Sequence, residues 1–177
     1  MAVELHNQII QQMGKEHLLP LGVFRKGRSR VYLDDNGVFF TVIEFQPSGF
    51  SSGTFLNVGM HPLWTTPMRD YLTFITEKGS RVCPFLPFES EAQFRAGLVL
   101  YFAKAKQQIL YYRQFRDPEV LREYATRRVK KTGTIPDRGI WEQYLELSAS
   151  ELSQRVNAAR EYWRRQSSMR NMQSELY

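Results

Sequence analysis

The spacing of apolar positions changes period twice along the chain. In residues 3–18, Leu5, Ile9, Met13 and His17 recur at every fourth position with Gln and Lys between them. That spacing predicts an amphipathic helix, which Pro20 and Gly22 stop. His6 and His17 flank the stripe and read as edge or surface residues. Residues 23–33 and 38–46 then turn to a period of two and are rich in Val, Phe, Tyr and Ile, with Asp34-Asp35-Asn36-Gly37 between them. Asn-Gly between two such runs predicts a tight β-hairpin, because both turn residues tolerate positive φ. With Asn36-Gly37 as the two-residue loop, Leu33 is expected opposite Phe40 and Val31 opposite Val42.

Alternation puts Val31, Leu33, Val38, Phe40 and Val42 on one sheet face and Tyr32, Phe39, Thr41, Ile43 and Phe45 on the other. Both faces are largely apolar, whereas a sheet with one wet side alternates with polar residues. The second face must therefore meet a later helix or a partner. Pro47 to Gly53 is a turn-rich link. Thr54–Met60 reads as another strand, in which Asn57 and Gly59 leave room for close backbone approach. Residues 70–76 and 81–86 are expected to form a further strand pair or a short helix.

From residue 90 onward the period is helical. Ser90 with Gln93 fits a capping box, and Phe94, Leu98, Tyr101, Ala105, Ile109 and Tyr112 trace one face of a long helix. Asp117-Pro118 starts a second helix, with Asp as N-cap and Pro at the first position, that runs to about Lys131 and ends at Gly133. A short helix from Pro136 to about Leu147 carries Ile140, Trp141, Tyr144 and Leu145. Ser148 and Glu151 form a second capping box, opening a last helix through Leu152, Val156, Ala159 and Trp163. Helix, strands and helices in segregated runs define an α+β fold with an antiparallel sheet. Residues 1–115 are expected to be the α+β core and 116–177 a helical extension packed on the same domain.

Composition narrows the class. The chain has 177 residues, 42% of them hydrophobic and 14% aromatic, enough apolar material for a core. No run is long enough to cross a bilayer, and MAVELHNQII has no basic flank ahead of an apolar stretch, so a soluble cytoplasmic protein is expected. The net charge is +6; residues 1–99 hold nine basic and nine acidic side chains, so the whole excess falls in residues 100–177. Such a split marks either an anionic partner or an Arg-rich solvated helix surface.

The segment Leu18-Leu-Pro-Leu-Gly-Val-Phe-Arg-Lys-Gly-Arg-Ser-Arg-Val-Tyr32, the strand ending Glu44-Phe-Gln46, and Gly53-Thr-Phe-Leu-Asn-Val-Gly59 together resemble the bacterial family called domain of unknown function 4304. The resemblance spans residues 3–65. It implies an α+β fold and no established reaction, and an immunity-like or accessory role agrees with it.

Candidate chemistry is sparse. The single cysteine, Cys83, excludes an intrachain disulfide or a thiolate cluster and reads as a small buried apolar residue. His6, His17 and His61 lack metal-ligand spacing, so neither metal nor cofactor is expected. Arg25, Lys26, Arg28 and Arg30 on a turn can grip a carboxylate or phosphate, or can charge a sheet edge against pairing. His61 and Trp64 leave the Asn-Gly strand together and can line a pocket, although packing is the usual fate of such a Trp.

The densest basic set is Arg113, Arg116, Arg122, Arg127, Arg128, Lys130 and Lys131, interleaved with Tyr111, Tyr112, Phe115 and Tyr124. These residues lead to a noncatalytic protein-interaction module that docks an acidic protein through its basic helical half, with a homodimer seam also open. Nucleic-acid binding through the same helices is the alternative. An enzyme with a site near His61, Trp64, Arg69 and Asp70 is the weakest reading.

Overall fold

A computed structural model describes residues 2–65, 72–131 and 137–174, with side chains placed for 5–65, 72–131 and 137–165. The fold is α+β. Helix α1 (Ala2–His17) precedes a five-stranded antiparallel meander of β1 (Phe24–Arg25), β2 (Val31–Asp35), β3 (Phe39–Gln46), β4 (Gly53–Pro62) and β5 (Arg81–Pro87). Four helices follow: α2 (Glu91–Arg113), α3 (Pro118–Lys130), α4 (Arg138–Glu146) and α5 (Ala149–Ser174). The caps fall where the sequence puts them. Asp117 accepts from the Glu119 N–H, and Ser148 and Glu151 bond to each other's backbone N–H groups. At Ser90 only half of the box forms: its hydroxyl accepts from the Gln93 N–H.

Both sheet faces are covered by the chain itself. Tyr32, Phe39, Ile43, Phe45, Leu56, Val58 and Met60 pack under α1 and α2 in one cluster, with Phe45 and Phe102 rings 4.7 Å apart. Leu33, Phe40, Val42 and Leu63 meet Val156, Ala159 and Trp163 of α5 in a second cluster on the other side. The sheet is thus the middle of three layers. Helices α3 and α4 close the end of the first cluster around Trp64, whose indole N–H donates to the Ile140 carbonyl at 3.0 Å and whose ring packs on Trp141 and Tyr144.

The hairpin differs from expectation in register. Leu33 pairs with Val42, Val31 with Glu44 and Asp35 with Phe40, a shift of two residues. Asn36 and Phe39 close the turn, leaving Gly37-Val38 as the loop, and Gly37 alone takes positive φ (87°). Gly at the first loop position is the primed turn that does not need Asn. The reason lies in the Asn36 side chain, which is buried and donates to the Asp34 carbonyl and the Thr41 hydroxyl. A two-residue shift preserves parity, so every side chain keeps its predicted face.

Helix α1 is rotated from its predicted stripe. Its buried face is His6, Ile9, Ile10 and Met13, while Leu5 and His17 are exposed. His6 is therefore not an edge residue: its ring lies between Phe88 and Phe94, against the Arg30 guanidinium. Of residues 70–76 only the part from 72 is described, and there Ile75 makes a single bridge to Met60; 81–86 forms most of β5. The expected helix end at Gly133 lies outside the described residues. Gly59 admits the close approach foreseen for it, since a Cβ there would sit 2.9 Å from the Phe74 Cα.

The Tyr32 hydroxyl contacts α1 at the Ile10 carbonyl, and a Cβ on Gly14 would stand 2.0 Å from that hydroxyl oxygen. Gly14→Ala is expected to destabilise the fold by about 1–3 kcal/mol through overpacking, although Ala is the better helix former by about 1 kcal/mol. Gly139→Ala in α4, where a Cβ meets nothing within 4 Å, is expected to stabilise by about 0.5–1 kcal/mol. Denaturant unfolding of the two variants reads the opposite signs.

Candidate functional site

The predicted basic set divides into two groups. Arg113 donates from Nε and Nη2 to the two carboxylate oxygens of buried Asp34, at 3.0 and 2.7 Å. Arg116 donates to the Asn36 amide oxygen and the Asp35 carbonyl. Arg128 is buried and ion-paired to Asp137 at 2.7 Å, and Asp137 also accepts from the Trp141 indole, so this trio ties α3 to α4. These three arginines hold the fold together. Arg122, Arg127, Lys130 and Lys131 face solvent. The sequence cannot distinguish the groups, because the carboxylates that claim Arg113 and Arg116 are about 80 residues away along the chain.

Among the secondary candidates, Trp64 is core, as described. His61 is buried; its Nδ1 accepts from the Thr73 N–H, and its ring meets Phe40 and Trp163. The ring is part of the packing between the sheet and α5. Arg69 and Asp70 lie outside the described residues. The Cys83 thiol is pushed up by burial, with Lys104 opposing, which suits an inert protonated thiol. Among the described residues no group of His, Cys, Asp and Glu is arranged to hold a metal ion, and no helix is long and apolar enough to cross a membrane.

Periodicity reveals the buried face of α2 and leaves its other face unremarked. That outer face is apolar. Val99, Leu100, Leu110 and Tyr111 are exposed by 52%, 68%, 59% and 42%. At 3.6 residues per turn, Val99, Ala103 and Leu110 line up, with Leu100, Gln107 and Tyr111 beside them. Lys106 borders this stripe on one side and Lys104 on the other. No acidic residue occurs between Glu91 and Asp117. A run of exposed aliphatic and aromatic side chains on the outer face of a helix is the kind of surface a partner covers.

Along the Lys104 border the surface opens into a cleft of about 490 Å³ between α2, α3 and the loop before β5. Tyr111, Tyr112 and Tyr124 line it, and Lys78, Arg81 and Lys104 flank it, with Glu77 as the opposing charge. Burial is the main cause that raises all three phenols above their ordinary range, so each remains a neutral O–H donor. Arg127 lies over the Tyr124 ring and acts on Tyr111, so the solvent-facing cations of α3 adjoin the same site. The surface combines an apolar stripe, an anchoring cleft and a cationic border.

No family model, curated protein or solved structure matches this chain.

Asp34→Asn is expected to lower unfolding free energy by about 2–4 kcal/mol, because it strands Arg113 and Arg116; their partial exposure keeps the loss below that of a fully buried pair. Arg127→Ala and Lys130→Ala are expected to stay within about 0.5 kcal/mol of wild type. Chemical denaturation of the three variants separates fastening arginines from surface cations.

Proposed function

We propose that this protein is a noncatalytic interaction module that docks an acidic, amphipathic protein segment along the outer face of α2. The observation that carries the reading is the exposed Val99-Leu100-Leu110-Tyr111 stripe bordered on both sides by lysine. Exposed apolar area of this kind favours a protein partner. Acid-free flanks select an acidic one and steer its approach. The tyrosine cleft provides an anchor for one side chain of the docked segment, of the sort that concentrates binding energy in interfaces.

Charge also argues against the other occupants. Laying a second copy of α2 on the first, parallel or antiparallel, brings a lysine border against a lysine border, so self-pairing is opposed. Nucleic acid would take the phosphate-facing cations but would leave the aliphatic stripe unused. An immunity-like or accessory role, which agrees with the resemblance to the domain of unknown function 4304 family, belongs to the same proposal.

The test places a photo-crosslinking amino acid at Leu100 and, separately, at Leu110, in the full chain in bacterial cells. It also measures binding of a fluorescent helical peptide of leucine and glutamate heptads. Crosslinks to a protein segment rich in acidic residues are expected, together with peptide binding that weakens with salt. The double change Lys104→Glu and Lys106→Glu should weaken peptide binding by about tenfold or more. Crosslinks only to the protein itself would replace the proposal with a homodimer. Crosslinks only to nucleic acid, with a mobility shift abolished by reversing Arg127, Lys130 and Lys131, would replace it with the nucleic-acid reading.

A further inference from the structure

A second cavity, of about 570 Å³, lies on the other side of the sheet from α2, between the β1–β2 turn and α5. Its apolar floor follows from strand alternation: Phe24, Leu33 and Phe40 stand on the same face of β1, β2 and β3, with Phe24 and Phe40 rings 6.0 Å apart and edge to face. Trp163 of α5 closes the inner side. Phe24 is 44% exposed, unusual for a Phe beside two buried aromatics, so the floor is open to an incoming group.

The walls are cationic. Arg25, Lys26 and Arg28 line one side and Arg160 and Arg164 the other; Asp35 is the carboxylate in the lining, and Glu161 pairs with Arg164 at 2.9 Å. They do different work. Arg25 donates from Nε to the Ser29 carbonyl and from Nη2 to the Arg28 carbonyl, so it folds back and stiffens the turn. Ser29 bonds to the Lys26 carbonyl, and Gly27 takes φ 55°. The stiffened turn sets the Lys26 ammonium over the Trp163 ring, 4.7 Å from its centroid. Arg28 is exposed, and its guanidinium makes no hydrogen bond among the described residues. Arg160 spends Nη2 on Asp35 and the Gly37 carbonyl, which neutralises the carboxylate in the lining; its Nε–H is buried with no acceptor among the described residues.

We propose that this cleft binds a small planar aromatic anion, its apolar body on Phe24, Leu33 and Phe40 and its carboxylate or phosphate received by Arg28 and Lys26. The volume falls within the range of small-molecule sites, and an apolar floor with a few convergent donors is their usual composition. Guanidinium and ammonium donors on a preorganised turn supply charge-assisted hydrogen bonds that a neutral analogue cannot form. The site is independent of the α2 stripe, lies behind a different helix and does not depend on the docking proposal.

The test follows the Trp163 indole N–H resonance and tryptophan fluorescence of the full chain during titration with two probes. Adenosine 5′-monophosphate stands for a nucleoside phosphate and 2-naphthoate for an aromatic carboxylate; adenosine and 2-naphthol are the uncharged counterparts. At least one anion is expected to bind saturably below millimolar concentration, about tenfold or more tighter than its neutral counterpart. Which anion binds better identifies the source. Lys26→Ala with Arg28→Ala should raise its dissociation constant by about tenfold or more, while the unfolding midpoint shifts by no more than loss of the Lys26 contact with Trp163 accounts for. The proposal is overturned if neither anion saturates, if the neutral counterparts bind equally well, or if the double variant binds like wild type.

Discussion

Asp34 and Asp35 are neighbours in the chain, and alternation along β2 sends them to opposite faces of the sheet. Asp34 shares its face with Tyr32 and takes Arg113, at the end of α2, with Arg116 joining from the following turn. Asp35 shares its face with Leu33 and takes Arg160 of α5. One hairpin tip therefore fastens the helical layer above the sheet and the one below it. The need for two fastenings follows from the sheet itself: its faces are both apolar, and burying them is the main favourable term for the fold. Hydrophobic burial does not fix direction; the charge-assisted bonds at the tip specify where each helix ends against the hairpin. Asn36 completes the arrangement by bonding back to Asp34 and Thr41 while accepting from Arg116.

The same clasp explains why some features are legible in the sequence and others are not. Local signals carry element identity: the caps at Asp117 and Ser148, the break at Pro20 and the face assignment of β2 and β3 all depend on residues within a few positions of one another. The requirement that the second face be covered is likewise written in its alternation, and the Phe94, Leu98 and Phe102 stripe of α2 meets it. Register is not local. The turn chemistry of Asn36-Gly37 points to one pairing, and the demands on the Asn36 side chain, from Thr41 across the hairpin and from distant Arg116, select another. The α1 stripe fails similarly, because Gly14 lacks an apolar signal and yet lies where Tyr32 needs space. His6 is buried because Arg30 and two phenylalanines, all distant in sequence, surround it.

The uneven charge of the chain acquires a structural meaning through these pairs. Read along the sequence, the excess of cations after residue 100 suggests one basic platform. In the folded chain, the acids of the hairpin in the first half neutralise arginines of the second, and Arg128 is claimed by Asp137. What remains is not a uniform basic surface. It separates into the lysine borders of α2 with the outer cations of α3, and the basic β1–β2 turn at the Phe24 cavity, where Asp35 claims Arg160 and Glu161 claims Arg164. The basic candidates predicted on the β1–β2 turn thus gain a context that the sequence does not give them, since α5 supplies the opposite wall from about 130 residues further along.

The two surfaces differ in how their apolar components are presented, and that difference decides the kind of ligand each can take. On α2 the exposed side chains lie along a convex helix, where a small molecule would remain mostly in water and gain little from burial. Only an extended partner can cover Val99, Leu100, Leu110 and Tyr111 together, and the cleft beside Lys104 offers it one deep contact. At the other site the apolar atoms form the floor of a concavity whose rim is already stiffened by Arg25 and Ser29. A protein surface would bridge that concavity without reaching its floor, whereas a compact planar group would lose most of its water on entering it. Shape separates the two proposed occupants, and the cations that border both surfaces select the same sign of charge in each.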